Sequence, residues 1–268
     1  MSVLAIIAAL VIEQWQPLGE RKAVQGALAG WAAWLEQQFN GGERRHGVVA
    51  WLVAVLPWVA AAIALHLALN GASPILALVF NIAVLYLTLG FRQFSHYFTD
   101  IQLAVKSGDV DRARVLLEEW RGASGVVRTR EEVIRLSIEE ALVASHRHVF
   151  GVLLWYLLLP GPSGAILYRL AAYLAWRWKT MGRFGDFAQR AFNALDWPAA
   201  RLTAAGAGAM GVRLGMPVQE IDGMQARPEI GVGEPADGPL LDSAVGLLWR
   251  ALVVWVFVLL VITIARLL

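Results

Sequence analysis

The chain has 268 residues, of which 58% are hydrophobic and only 16% are charged, a composition too apolar to provide the polar surface of a soluble domain. The net charge of +2 gives no general basic character that would indicate nucleic acid, and the absence of cysteine excludes disulfides, thiolate nucleophiles and cysteine-bound metals. We therefore expect an all-α, polytopic integral membrane protein that forms one domain over residues 1–268 and has the lipid bilayer as its partner.

The first apolar stretch covers residues 2–12. It lacks the preceding positive residues and the small-residue cleavage site of a secretory signal, so we expect it to be retained. As a helix it would reach about 16 Å, roughly half of the ~30 Å hydrocarbon thickness. The sequence therefore predicts an N-terminal half-helix that includes residues 13–15.

Two longer apolar runs, residues 47–69 and 74–91, are separated by an uncharged turn and predict a transmembrane hairpin. Four basic residues precede this hairpin and nine follow it between Arg92 and Arg147, whereas its tip has none. By the positive-inside rule both flanks lie in the cytoplasm and the tip lies outside. The apolar run at residues 251–265 predicts a third transmembrane helix within residues 244–268.

Residues 92–148 are charged, and their apolar side chains recur at helical spacing, which predicts cytoplasmic helices. A new helix is expected to begin after Thr129, because Thr129 and Glu132 have the spacing of a capping box. It meets no stop signal before Pro160, so we expect one long helix that continues into the membrane.

Residues 149–176 contain two apolar halves, of eleven and about twelve residues, on either side of a break at Gly161, Pro162 and Gly164. Basic residues flank both ends of this segment, which predicts a re-entrant helical hairpin that returns to the cytoplasm. Broken backbone at membrane depth must face protein or a wet cavity, so the tip should pack on other helices. Residues 177–243 are expected at the cytoplasmic surface or interface, with 217–239 too rich in Pro and Gly for regular structure.

No metal site is expected. His146 and His148 are two residues apart and would point to nearly opposite sides of a helix, so they cannot chelate one ion; we interpret them as interfacial histidines beside Arg147. Among the acids, Glu139, Glu140 and Asp196 are candidates for chemistry, although a solvated or ion-paired helix face is the simpler explanation for each of them.

Arg169 is a stronger candidate. It follows the hairpin tip beside Tyr168 in an apolar setting, where an ionised group is costly unless it is paired or wet. A guanidinium suits a phosphate or a carboxylate, so Arg169 is expected to bind either an anionic ligand or an internal acid.

Several segments in order resemble the CobD/CbiB and AmpE superfamily of bacterial inner-membrane proteins. The resemblance covers most of the chain and is carried by four stretches of sequence: KSGDVDRARVLL, SIEEALVASHRHVFGVLLWYLLLPGPSGAILYR, FGDFAQRAFNALDWPAARLTA and DGMQARPEIGVGEPADGPLLDSAVGLLWRA. One branch, adenosylcobinamide-phosphate synthase, is an ATP-dependent amide ligase that joins an aminopropanol unit to adenosylcobyric acid. The other branch, AmpE, is a non-catalytic protein implicated in signalling for β-lactamase induction.

The chain departs from the synthase pattern where the chemistry needs oxygen donors for Mg²⁺ and phosphate. The four positions of the synthase EN..DG motif read Val143, Ala144, Arg147 and His148 here, and the DD pair of the later synthase segment reads Phe192 and Asn193. The synthase opening GDP..HPV is missing as well, while the segments around LDW and around residues 13–20 are closer to AmpE.

The leading hypothesis from the sequence is therefore a non-catalytic, AmpE-like sensing or scaffolding protein of the bacterial inner membrane, multi-pass and with its main loops cytoplasmic. The hairpin, the long helix and the LDWPAARL segment would enclose a cytoplasm-facing pocket for an anionic or corrinoid molecule, with these expected ligand-binding residues: Tyr168, Arg169, Asp196 and Arg201. The alternative is an active synthase that binds Mg-ATP and a corrinoid, with Glu139, Glu140 and Asp196 as substitute acids. A transporter has less support, because no inverted repeat is present.

Overall fold

The computed structural model describes residues 2–15, 22–121, 129–209, 218–220 and 223–225, together with positions 246, 250, 253, 254, 257 and 261. Within this part of the chain the fold is helical apart from one small antiparallel β-hairpin. The α-helices in chain order are α1 (Ser2–Trp15), α2 (Lys22–Phe39), α3 (Arg44–Ala72), α4 (Pro74–Thr88), α5 (Phe91–Lys106), α6 (Val110–Arg121), α7 (Arg130–Ser145), α8 (Gly151–Leu158), α9 (Ser163–Arg177) and α10 (Asp186–Ala209).

The chain divides into two compact units. The first comprises Met1–Gly90 and His148–Ala199, and the second comprises Phe91–Arg147 and Ala200–Leu268. In the first unit α1 packs on α4, α3 packs on α2, α4 and α9, and α8 packs on α9. In the second unit α5, α6 and α7 pack against one another.

The predicted hairpin of residues 47–91 is present as α3 and α4, with different bounds. Helix α3 is 29 residues long, or about 44 Å, so it is long enough to cross a bilayer, whereas α4 has 15 residues and extends only about 22 Å. The second arm ends at Thr88 and not at Phe91, because Leu89 is extended and a new helix begins at Phe91. Only Ser73 separates the two helices, so the predicted four-residue turn is wrong.

Among the residues that the structure describes, two helical stretches are long and apolar enough to cross a membrane, Arg44–Ala72 and Arg130–Leu158, while Ser2–Trp15 and Pro74–Thr88 are shorter apolar helices. Helix α1 confirms the short N-terminal helix expected from the sequence. The third predicted transmembrane helix, at residues 251–265, lies outside the described residues apart from helical backbone at 253, 254, 257 and 261.

The long helix after Thr129 is confirmed. Thr129 accepts a hydrogen bond from the Glu132 amide, and the Glu132 side chain accepts one from the Thr129 amide, which is the predicted capping box. Helical backbone then continues from Arg130 to Leu158 through one π-helical turn, His146–Phe150. A π-turn inserts an extra residue into the helix, so it rotates the side chains that follow.

The predicted helical hairpin of residues 149–176 is present as α8 and α9. Gly161 at the tip has φ = +60°, a conformation that favours glycine, and the ring of His66 from α3 lies where a Cβ of Gly161 would be. Gly164 approaches the Trp155 carbonyl of α8 just as closely. The tip therefore contacts protein, as expected, whereas entry of the hairpin into a bilayer stays a prediction.

Two parts of the fold differ from expectation. No element was predicted at α2, which the structure shows as an 18-residue helix. The interval 217–239, expected to be irregular, contains the strands β1 (Val218–Glu220) and β2 (Gly223–Gln225), paired antiparallel, so the prediction is wrong for those residues. The rest of that interval lies outside the described residues.

Candidate functional site

The hairpin directs two consecutive side chains of α9, Tyr168 and Arg169, to two different polar partners. Tyr168 is fully buried, and its Oη donates a hydrogen bond of 2.5 Å to Oδ1 of Asp196, which is half-buried on α10. The structure therefore unites two of the residues that the sequence analysis selected as candidates for ligand binding. A carboxylate that accepts a phenolic proton in this way is held in one orientation.

Two features fix the position of the Tyr168 ring. Gly151 of α8 lies directly against the ring, so that a Cβ at position 151 would overlap it. On another side the ring of Phe192 from α10 has its centroid 5.6 Å from that of Tyr168, at an interplanar angle of 52°. By the resemblance drawn from the sequence, Phe192 stands where the synthase pattern has an acid, and in this structure it makes an apolar contact with Tyr168.

Helix α8 also reaches the segment that carries Asp196. The indole Nε1 of Trp155 donates a hydrogen bond of 2.9 Å to the carbonyl of Leu195, the residue immediately before Asp196. Helix α10 continues through Pro198, which lacks an amide proton and whose ring crowds the carbonyl four residues earlier. The turn of α10 that carries Asp196 is therefore supported from α8.

Arg169 contacts a histidine. Its Nη1 lies 2.9 Å from Nδ1 of His148, and because a guanidinium only donates, the imidazole Nδ1 accepts. His148 is in the π-turn, and its carbonyl accepts a hydrogen bond of 3.2 Å from the Gly90 amide. His148 therefore has a hydrogen-bond partner in Arg169, while its interfacial position stays a prediction.

The other candidate residues lie in the second unit. Glu140 is 3.9 Å from Arg121 across α7 and α6, which matches the ion-paired alternative given for it from the sequence. Glu139 is half-buried on α7, and Arg201 is exposed on α10. The two hydrogen-bonded pairs described above belong to the first unit. The first unit therefore does not contain these three candidates: Glu139, Glu140 and Arg201.

A second polar cluster, the Glu36 cluster (Glu36, Arg177 and Trp178), lies where α9 ends. Glu36 Oε1 accepts hydrogen bonds from Arg177 Nε at 3.0 Å and Trp178 Nε1 at 2.9 Å, while Oε2 accepts one from Arg177 Nη2 at 3.3 Å. These bonds, and then the charge of Glu36, raise the pKa of Arg177 above its ordinary value. This cluster was not expected from the sequence, where its only signal is an acid in the otherwise uncharged stretch GWAAWLEQQF.

The described oxygen and nitrogen donors around Asp196 are compatible with Mg²⁺ only if the ion is bound to a nucleotide. Among the residues that the structure describes, no three His, Asp or Glu side chains form a group that could hold a metal ion by themselves. A nucleotide-bound Mg²⁺ needs less, since it retains several waters and takes one or two carboxylates in addition to the phosphates. Asp196 could supply one such carboxylate, so the described residues are compatible with Mg-ATP.

Comparisons with known proteins agree on one family. The sequence profile of the CobD/Cbib protein family matches residues 4–205. The chain is 31% identical over 304 residues to the "Cobalamin biosynthesis protein CobD" of Stutzerimonas stutzeri, with 97% of this chain and 98% of that protein covered. It is 30% identical over 251 residues to the protein of the same description from Chromobacterium violaceum, with 79% and 78% covered. No solved structure matches the chain.

Proposed function

The chain belongs to the CobD/CbiB protein family, and we propose that it acts in cobalamin biosynthesis as an adenosylcobinamide-phosphate synthase. The observation that carries this proposal is the alignment over almost the whole length of both chains with a protein described as acting in cobalamin biosynthesis. This reverses the preference drawn from the sequence, where the non-catalytic, AmpE-like interpretation came first. Neither relative is described as AmpE or as a protein of β-lactamase induction.

In this proposal the two side-chain pairs of the first unit divide the work of an ATP-dependent amide ligation. Mg-ATP supplies the phosphoryl group that activates a carboxylate. Arg169, oriented by His148, provides the fixed positive charge that binds phosphate oxygens, and Asp196, oriented by Tyr168, provides the carboxylate that holds a cation or the incoming amine. The corrinoid would enter a cytoplasm-facing pocket beside α8, α9 and α10.

We further propose that the protein is a multi-pass inner-membrane protein whose main loops are cytoplasmic. Support comes from the large apolar side chains that α1, α3 and α4 expose, such as Leu4, Leu56, Trp58, Leu67 and Ile75, each at least half exposed. A soluble monomer rarely exposes so many large apolar residues on adjoining helices, whereas hydrocarbon would cover them. Residues 92–147 contain nine Lys and Arg residues, whereas the tip between α3 and α4 has none, and this asymmetry supports the cytoplasmic assignment of that segment.

The test is direct synthesis. Protein purified in detergent or nanodiscs should form adenosylcobinamide phosphate from adenosylcobyric acid, aminopropanol phosphate and Mg-ATP, and its gene should restore cobalamin synthesis to a strain that lacks the synthase. Asp196→Asn and Arg169→Gln should each lower the rate by at least about a hundredfold if they stabilise charge in the transition state. Lys179→Gln, an exposed change beyond the end of α9, is the matched control. Absence of product in a preparation that folds, beside an active relative, would reject the proposal.

The second candidate function is a non-catalytic, AmpE-like sensor or scaffold. The observation that favours it is the presence of Phe192, which packs on Tyr168, and of Arg147 at positions where the synthase pattern has acids. Such a protein would bind an anionic or corrinoid molecule and form no amide. Binding of adenosylcobyric acid that depends on Arg169, in the absence of any ATP-dependent turnover, would favour this candidate over the synthase.

A further inference from the structure

One face of α8 contacts Tyr168 and the residue that immediately precedes Asp196. Gly151 and Trp155 are four residues apart, so they lie on the same side of the helix. Gly151 is the surface against which the Tyr168 ring rests, and Trp155 donates to the carbonyl of Leu195, one residue before Asp196. The phenol and the carboxylate are thus both located relative to one short helical segment.

The backbone of Trp155 is held by contacts within the α8–α9 hairpin. Its carbonyl accepts a hydrogen bond of 3.2 Å from the amide of Leu159, where α8 ends. The same carbonyl lies against Gly164 at the start of α9, so closely that no side chain would fit there. The indole therefore extends from an anchored position and does not simply fill space.

The indole acts on a part of α10 that needs support. Pro198 provides no amide for the carbonyl of Ala194, and a proline ring crowds the carbonyl four residues earlier, so the turn before Pro198 lacks one helical hydrogen bond. Leu195 and Asp196 lie within that turn. An additional donor on the Leu195 carbonyl fixes the tilt of this peptide group and with it the direction of the Asp196 side chain.

We propose that Trp155 is a positioning residue, which sets the orientation of the Asp196 carboxylate toward Tyr168 through the hydrogen bond from its indole to Leu195. The inference rests on the proposed function where it concerns catalysis, but its structural part can be tested without any activity. The proposed role depends on the indole N–H group of Trp155, and not on the space that its ring fills.

The first experiment reads the Tyr168 environment directly. The chain has five tyrosines, so fluorotyrosine labelling gives few ¹⁹F signals, and Tyr168→Phe identifies the one of interest. Trp155→Phe keeps an aromatic ring but removes the N–H, and it should shift the Tyr168 signal. Trp176→Phe, at a tryptophan of α9 that is 71% exposed, should leave it unchanged. A Tyr168 signal that is the same in Trp155→Phe and in the wild type would overturn the inference.

If Trp155→Phe does not fold, Trp155 can be replaced by benzothienylalanine, an isostere in which sulfur takes the place of the N–H. The ¹⁹F signal of Tyr168 is then measured in that variant. A shifted Tyr168 signal in this variant supports the inference, and an unshifted one rejects it. If the signal shifts while the wild type makes no amide product, the proposed function fails and the positioning role stands.

The second experiment is a double-mutant cycle on the proposed activity. Trp155→Phe and Tyr168→Phe should each lower kcat about tenfold, the effect of one hydrogen bond, with KM changed less than about twofold. Because both act on Asp196, the double variant should lose little more than the worse single variant. Losses that multiply fully would show that Trp155 acts independently of the pair and would overturn the inference.

Discussion

At the residue scale, the Tyr168–Asp196 hydrogen bond should contribute to stability as well as to function. Tyr168→Phe removes the phenolic donor and leaves a half-buried carboxylate with one partner fewer, so we expect a loss of about 1–2 kcal/mol in the free energy of unfolding. Tyr173→Phe, a half-buried tyrosine on the same helix, is the matched control and should cost less. Thermal unfolding of the purified protein measures both, and equal shifts in Tm would contradict the expectation.

The glycines provide a second residue-scale prediction. Gly151→Ala places a methyl group where the Tyr168 ring lies, so the ring must move, and we expect destabilisation of about 1–3 kcal/mol. Gly30→Ala in α2 meets nothing within 4 Å and should be neutral or stabilising, by up to about 1 kcal/mol, because alanine is the better helix former. The two substitutions are chemically identical, so a similar Tm change in both would refute the close approach at position 151.

Sequence alone could identify the important residues of this site but not all of their partners. Tyr168, Arg169 and Asp196 stand in recognisable segments, so the resemblance drew attention to them. The contact between Arg169 and His148 was missed, because a regular helix was assumed where the structure has a π-turn, and the extra residue changes the direction of the following side chains.

At the element scale, the Glu36 cluster should hold the end of α9 against α2. Glu36→Ala leaves the indole N–H of the fully buried Trp178 without its acceptor, and we expect a loss of about 2–3 kcal/mol in the free energy of unfolding. Glu36→Gln keeps an acceptor for Trp178 and loses only the charge opposite Arg177, so it should cost less. Gln37→Ala, at the exposed residue that follows Glu36 in α2, is the control. Equal changes in Tm for the two alanine variants would contradict the prediction.

Elements with strong local signals were predictable, and those without them were not. The long helix could be predicted from the Thr129–Glu132 capping box and from the lack of a stop before Pro160. Helix α2 has no clear cap and mixes Gly, Ala, Trp and Gln, so local pattern gave no reason to expect it. Its contacts with α3 and the bonds of Glu36 are tertiary interactions, which sequence periodicity does not contain.

At the scale of the whole molecule, the apolar composition led to the helical class, and the order of motifs led to the family. Both are global properties of the sequence, and the family match at residues 4–205 runs through both compact units. The preference for a non-catalytic protein arose because missing acids were given more weight than overall similarity. A magnesium ion that arrives with a nucleotide needs few protein carboxylates, so the loss of several acids does not by itself exclude the reaction.

The membrane topology gives the last prediction, and the natural absence of cysteine makes it simple to test with single substitutions. Gly71→Cys, at the end of α3, should react with a membrane-impermeant maleimide added outside intact cells, because the positive-inside rule places that turn outside. Ser107→Cys, in the exposed turn after α5, should react only after the membrane is permeabilised. Pro160→Cys, at the tip between α8 and α9, distinguishes a re-entrant hairpin from a complete crossing of the bilayer. If the hairpin turns back at membrane depth, the cysteine should not be labelled from outside. Labelling of Pro160→Cys in intact cells would mean that α8 and α9 both span the bilayer.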